Sequence, residues 1–352
     1  MPGLLKTVLV GCGAVSGLYY VPAITEARKH AGLEVVGVFD PARERVDALL
    51  PAFPGARGMM HLDELIRLKP DLAIIASPPR FHADQTVALL RAGSHVLCEK
   101  PMADTVADAE RMMAAANEAG RVLAVGLFRR FFPALQTIRS LVTGGTLGAP
   151  VSFHFAEGGA FSWPATSAAH FQKTHARGGV LLDLGVHVLD LVHWWFGEPD
   201  SMSYEDDSMG NLEANAMVSF RYKEALSGTV RLSRDTPMSN RFTITFERGT
   251  VIWKVGEAER LEVTFNGAPF ALAGQLKTGG RTASTYPQSF VNQLIDVAAA
   301  ARNGTKPQVP GEEGIHSIRM IERCYRSRRL MQMPWLSTAE TGSATALNSS
   351  RE

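Results

Sequence analysis

The stretch Thr7-Val8-Leu9-Val10-Gly11-Cys12-Gly13-Ala14-Val15-Ser16-Gly17 decides how this chain is read. A short run of β-favouring residues enters a glycine-rich turn directly, and the turn opens a helix. Gly11 and Gly13 suit the tight bend and the close approach of backbone to a pyrophosphate, whose charge a helix N-terminus favours. Ser16 stands where such loops usually carry a third glycine, and it is small enough for a helix to pack on the strand. The loop residues Gly11, Cys12, Gly13, Ala14, Val15 and Ser16 are therefore the first candidates for cofactor contact.

Outward from this loop, residues 5–126 alternate strand-like and helix-like runs. The strand-like runs are Thr7-Val8-Leu9-Val10, Glu34-Val35-Val36-Gly37-Val38-Phe39, Leu72-Ala73-Ile74-Ile75-Ala76, His95-Val96-Leu97-Cys98 and Val122-Leu123-Ala124-Val125. Strands buried on both faces need such continuous apolar runs. Between them, residues 81–92 and 106–119 are rich in helix formers, with Gly93 and Gly120 placed as stops. The pattern predicts an α/β Rossmann domain with a doubly wound parallel sheet over residues 1–128.

Beyond about residue 131 the style changes to longer strands of alternating character, such as Ala216-Met217-Val218-Ser219-Phe220-Arg221-Tyr222, residues 228–232, 242–246 and 250–253. These predict an α+β domain over residues 129–336 with a large, mostly antiparallel open sheet, covered on one face by helices near 181–196, 288–302 and 312–330. Residues 273–287, rich in Gly, Thr and Ser, read as a loop and a candidate lid. The small, polar residues 337–352 read as a disordered tail.

Lys and Arg number 36 against 35 acidic residues, so no excess charge draws the chain to nucleic acid or to an anionic membrane. No apolar stretch reaches the roughly 20 residues of a membrane span. The three cysteines are odd in number and far apart, which argues against a disulfide framework and suits a reducing cytoplasm. No leader fits before the first strand, so the expected location is cytoplasmic.

Asp40 ends the second strand, where a carboxylate accepts hydrogen bonds from the adenosine ribose hydroxyls. It would repel a 2′-phosphate, which favours NAD over NADP. Arg43 and Arg45, close behind, are basic groups that could turn toward such a phosphate. After another strand, Ser77-Pro78-Pro79-Arg80-Phe81-His82 forms a turn whose prolines deny a helix before Arg80 and shape a pocket wall, with His82 a pocket candidate. Val96-Leu97-Cys98-Glu99-Lys100-Pro101 then puts a lysine just past a strand's carboxyl end, where open parallel sheets bind ligands. A cis Lys100-Pro101 bond is a further expectation there.

The second cluster is Gly178-Gly179-Val180-Leu181-Leu182-Asp183-Leu184-Gly185-Val186-His187-Val188-Leu189-Asp190. Asp183 and His187 are four apart, on one helical face in an otherwise apolar run, and buried polar groups need partners or a function. A histidine takes a proton near neutral pH, and a carboxylate beside it orients the ring. Oxidising an alcohol needs such a base and a cation for the oxygen, which His187 and Lys100 could supply. Gly185 weakens the helix and suggests that a ligand or another backbone comes close. His193, Trp194 and Trp195 read as packing residues. His170, Lys173, His175 and Arg177 lie in a polar segment that could meet substrate, and no spacing resembles a metal site.

In order, these motifs resemble the family named for glucose-fructose oxidoreductase, inositol dehydrogenase and rhizopine catabolism proteins. The resemblance runs through the Gly11 loop, Asp40, Ser77-Pro78-Pro79 to His82, Glu99-Lys100-Pro101 and the Asp183–His187 cluster. A sixth match is Gly126 to Phe131, with Arg130 in place and Phe128 where the family often has Asn. It implies a nicotinamide enzyme acting on sugars, polyols or their derivatives, with Lys100 on the reacting hydroxyl, His187 transferring its proton and Asp183 positioning both. Glu99 and Lys100 then join the cofactor contacts with Arg43, and Arg129, Arg130, Lys173 and His175 are the substrate candidates. A homodimer or homotetramer through the open sheet face is implied as well. Some relatives cleave glycosides through transient oxidation by tightly held NAD, and one keeps the fold as a sugar sensor. The intact Lys, Asp and His favour turnover over sensing.

Overall fold

The structure, a computed structural model, describes residues 3–164, 171–223, 225–268, 271–276 and 283–332. The chain divides into two compact units. The first comprises Met1–Phe132, Pro164–Thr166 and Gly279–Ile318; the second comprises Pro133–Trp163, Ser167–Thr278 and Arg319–Glu352.

The first unit is built on strands β1 (Leu5–Val10), β2 (Leu33–Phe39), β3 (Arg57–Met59), β4 (Leu72–Ile75), β5 (His95–Glu99) and β6 (Leu123–Gly126). All pair in parallel, in the order β3-β2-β1-β4-β5-β6. That order reverses direction between β1 and β4, the switch point at which such sheets open a ligand crevice. The apolar runs are buried as their composition requires: Val8, Leu9, Val10, Ile74, Ile75, Val96 and Leu97 are all fully covered. Helices α1 (Val21–Ala31), α2 (Arg43–Leu49), α3 (Leu62–Ile66), α4 (His82–Arg91) and α5 (Val106–Ala119) connect the strands. The start of α5 is capped by Thr105, whose hydroxyl accepts from the Asp108 amide, and its end by Gly120 in the left-handed region at φ 60°.

The division expected at 128/129 places residues 279–318 in the second domain, yet they pack with the first unit. Helix α8 (Tyr286–Asn303) lies against α1, and its Phe290 stacks on Tyr19 and Phe128 and meets Tyr20 edge-on, with ring centroids 4.9, 5.2 and 5.4 Å apart. Arg302 closes the same contact by donating to the carbonyl of Gly3, 2.8 Å away. Burial of these rings outweighs proximity along the chain.

The second unit carries helices α6 (Pro133–Gly144) and α7 (Val186–Phe196), and strands β7 (Pro150–Gly158), β8 (Ser201–Asp206), β9 (Asn215–Arg221), β10 (Ser227–Ser233), β11 (Arg241–Phe246), β12 (Gly249–Lys254), β13 (Arg260–Phe265), β14 (Ala271–Gln275) and β15 (Arg328–Leu330). They form one nine-stranded sheet in the order β14-β13-β12-β11-β7-β10-β9-β8-β15, antiparallel except for the β7–β10 and β8–β15 pairs. Alternate residues, among them Phe153, Phe155, Val218, Phe220, Val230, Phe242, Ile244 and Trp253, are buried. Helix α7 covers that face, with Phe196 stacked on Phe153 and Trp195 donating to the Leu135 carbonyl on α6. The packing role expected for Trp195 thus holds. Among the intervening residues, Ser219, Thr229, Thr243 and Thr250 are only partly covered.

Two boundaries differ from expectation. The segment read as a loop over 273–287 begins inside β14 and ends inside α8, because β14 pairs with β13; residues 277–282, the centre of the candidate lid, lie outside the described residues. The helix expected over 312–330 ends at Arg326 as α9 (Gly311–Arg326), and Arg328–Leu330 instead adds a parallel strand to the edge of β8. The expected tail over 337–352 also lies outside the described residues. Among the described residues, no helix is long and apolar enough to cross a membrane.

Gly228 of β10 is fixed by packing, since a Cβ there would overlap the ring of Phe153 on β7. Gly228→Ala should therefore lower the unfolding free energy by about 1–3 kcal/mol, the usual cost of overpacking, as read from urea denaturation.

Candidate active site

The nucleotide half belongs to the first unit. Gly11 ends β1 with φ 92°, and a Cβ there would sit 2.6 Å from the Ser77 amide nitrogen and 2.8 Å from the Ala76 carbonyl oxygen. Only a glycine lets the loops after β1 and β4 touch at the switch point. Ser16, fully buried, donates from its hydroxyl to the Gly11 carbonyl at 2.5 Å, so the residue in place of a third glycine pins the turn. A π turn, Ser16–Tyr20, then leads into α1.

Asp40, 4% exposed, accepts from the amides of Cys12 and Ala42, each at 3.0 Å. Its two oxygens retain acceptor capacity beyond these bonds. Of the two nearby arginines, Arg45 approaches this carboxylate, at 3.9 Å, whereas Arg43 is exposed and paired with Asp47 at 2.9 Å. A glycine-allowed backbone contact at the switch point and a buried carboxylate just past β2 fit a dinucleotide.

The turn after β4 departs from expectation by one residue: Pro78 is extended, but a 3-10 turn already starts at Pro79. Ser77 donates from its hydroxyl to Gln85 at 2.6 Å. His82 is fully buried with its two ring nitrogens 2.8 Å from the Pro101 carbonyl and 2.7 Å from the Ser77 carbonyl. It ties the loops after β4 and β5 together rather than lining a pocket. Burial pushes its pKa down, outweighing the two carbonyls, so the ring stays neutral and donates to one of them at a time.

Glu99 is likewise taken up by protein. Its carboxylate accepts from the Tyr20 hydroxyl at 2.7 Å and from the Lys100 amide at 2.9 Å, and Gln293 of α8 reaches the same hydroxyl at 3.3 Å. Burial pushes this carboxyl up, while Tyr20 and the neighbouring lysine pull it back. Glu99 thus anchors the backbone of Lys100, a half-buried residue whose bond to Pro101 is cis, as expected. Arg129 and Arg130, read as substrate candidates, are 7% and 1% exposed, and Arg130 pairs with Glu313 at 2.9 Å. The guanidinium of Arg130 is committed to the interior of its own unit. No local signal marks Tyr20 or Gln293, since their meeting depends on the return of α8.

The Asp183–His187 cluster belongs to the second unit. Asp183 sits in a π turn, Leu181–Gly185, that runs into α7, and His187 follows in the first turn of α7. The helix is therefore wider at its start than the regular spacing implies, a distortion frequent at functional sites. Asp183 is partly exposed and His187 is 5% exposed. Gly185 faces Leu232 of β10, whose methyl carbon would lie 2.8 Å from a Cβ. Helix-on-sheet packing accounts for this glycine, and neither the ligand nor the backbone expected there is what it meets. Lys173 and His175 are exposed, with Lys173 near the Gly210 carbonyl at 3.3 Å and His175 on Gln172 at 2.8 Å; His170 lies outside the described residues.

Residues 5–127 match the model of an oxidoreductase family with an NAD-binding Rossmann fold, and residues 139–335 match the C-terminal alpha/beta domain of the same family. The chain belongs to this family, that of glucose-fructose oxidoreductase, inositol dehydrogenase and rhizopine catabolism proteins. It is 31% identical over 199 residues to D-glucoside 3-dehydrogenase of Escherichia coli, covering 55% of each chain, so the alignment spans about half that protein's length. It is 26% identical over 349 residues to D-apiose dehydrogenase of Paraburkholderia graminis, covering 92% of this chain and 88% of that one. Levoglucosan dehydrogenase, solved with NADH and levoglucosan, superposes with a TM-score of 0.81 at 19% identity, over 92% of this chain and 96% of the other.

The neutral His82 has a sign-definite consequence. An unfolded imidazole takes its proton near 6.5, the folded one only at lower pH, so stability falls as pH drops through 6.5 and levels off once both are charged. His82→Asn should therefore be less destabilising at pH 5.5 than at pH 7.5 in urea titrations.

Proposed function

We propose that this chain is an NAD-dependent dehydrogenase or reductase interconverting a secondary hydroxyl and a ketone on a sugar, cyclitol or sugar derivative. The observation that carries the reading is the close backbone contact of Gly11 with Ser77, with buried Asp40 bonded to the same loop, in a chain of an NAD-binding oxidoreductase family. NAD, when bound, supplies the hydride acceptor. The Gly11 to Ser16 loop and Asp40 would hold it, and the neighbouring loops at Ser77 and Lys100 belong to the same sheet's carboxyl edge.

His187 takes the hydroxyl proton, the Lys100 ammonium stabilises negative charge on the oxygen it leaves, and Asp183 orients the imidazole and a substrate hydroxyl. In the reverse direction His187 returns that proton. The first unit then carries the cofactor, and the second the substrate and the subunit contacts of a homodimer or homotetramer. Cys12, Cys98 and Cys324 are all free and buried, which supports a reducing, cytoplasmic setting.

A panel of aldoses, polyols and cyclitols read by NADH absorbance tests the reaction; turnover of none of them would overturn it. Lys100→Met should abolish turnover, with at least a ~100-fold fall in kcat, while NAD still binds by calorimetry. The Asp40 carboxylate should make NAD bind more tightly than NADP, and Asp40→Ala should weaken NAD by about tenfold, the worth of one charge-assisted hydrogen bond.

A further inference from the structure

The turn that bears Asp183 and His187 is held at its start by a single acidic residue with no part in the motifs. Glu213, in the connection between β8 and β9, is 2% exposed. Its Oε1 accepts from the amides of Gly179 at 2.8 Å and Leu181 at 3.1 Å, and its backbone carbonyl accepts from the amide of Val180 at 3.0 Å. Three consecutive N–H groups at the head of a helix, which have no partner within the helix, thus all end on one residue. The Tyr325 hydroxyl of α9 donates to the same Oε1 at 2.8 Å. Behind it Arg328 pairs with fully buried Asp206 at 2.7 Å.

The glycines before the turn record how close this hold is. A Cβ on Gly179 would overlap the Glu213 carbonyl oxygen, and one on Gly178 would overlap the Tyr325 hydroxyl. From Gly179 the path to the catalytic pair is short, since its carbonyl accepts from the Asp183 amide at 3.1 Å. The remainder of α7 is anchored separately, through Val188, Leu189, Leu191 and Val192, all fully buried.

We propose that Glu213, supported by Tyr325, is a positioning residue that sets the orientation of Asp183 and His187 by fixing the backbone amides at 179–181. Its carboxylate meets backbone amides and the Tyr325 hydroxyl, which makes its role one of positioning. The proposal rests on the assignment of Asp183 and His187 to catalysis. A displacement of the order of 1 Å in such groups costs about 100-fold in rate, whereas the apolar anchoring of α7 does not depend on the carboxylate.

Amide hydrogen exchange on the full-length protein, followed by mass spectrometry, reads the hold without any substrate. In Glu213→Ala, exchange over 179–187 should rise at least about tenfold while β9 and β10 keep their protection, the signature of local opening. Glu213→Gln preserves an acceptor and should retain the protection. Turnover is measured with NAD and myo-inositol, or with whichever panel sugar the wild type oxidises. Glu213→Ala should lower kcat at least about tenfold with the KM for NAD unchanged, and Glu213→Gln should recover to within about threefold of wild type.

Unchanged exchange over 179–187 in Glu213→Ala, or loss of protection spread across β9 and β10 in both variants, overturns the proposal. So does full kcat in Glu213→Ala beside an inactive His187→Ala control. An active His187→Ala, or no wild-type turnover, instead overturns the catalytic assignment, and the exchange data still decide whether Glu213 fixes the turn.

Discussion

The nucleotide half of this protein depends on one contact between backbones. Gly11 lies against Ala76 and Ser77 so closely that a methyl group cannot enter. The contact brings the ends of β1 and β4 together where the strand order reverses, and from that point the chain leaves toward opposite faces of the sheet. A crevice at the carboxyl edge follows from that divergence. The neighbouring loops are then tied in turn: Asp40 to the Cys12 amide, His82 between the loops after β4 and β5, and Glu99 to the Lys100 amide. Each tie is a polar bond that is buried or partly buried, worth about 1 kcal/mol net, and each would cost more if left unmade.

The second unit solves a similar problem with a different material. Its sheet and α7 cohere through rings and branched aliphatic side chains, an interaction that is strong but indifferent to small rotations. Directional control enters where polar side chains interrupt that packing, at the π turn carrying Asp183. There the backbone amides meet a carboxylate rather than water. Apolar burial holds the helix down, and hydrogen bonds decide which way its first turn faces.

The five long strands of the first sheet are legible in the sequence because both their faces are buried, which leaves uninterrupted apolar runs. Strand β3 is not, since it has three residues and only Met59 among them is buried. The edge strands β14 and β15 are set by pairing with a neighbour, which neither the small residues of β14 nor the arginines of β15 reveal. Motif spacing marks positions 82, 99 and 130 as important without saying what each meets; their polar atoms turn out to bind protein groups. Glu213 carries no local pattern at all. The paired glycines at 178 and 179 were its trace, and their meaning needs the distant residue that crowds them.

The first unit is discontinuous in sequence, and this bears on how the protein is made. Phe290, which stacks on Tyr19 and Phe128, follows those rings by more than 150 positions. At synthesis rates of about 5–20 residues per second, the stretch between Phe132 and Gly279 takes roughly 7–30 seconds to be made. Throughout that interval the nascent nucleotide unit lacks α8, and its aromatic surface has no native cover. The unit that starts first is therefore closed by α8 only after most of the second has been made, and the second in turn is completed by Arg319–Glu352, which follow α8.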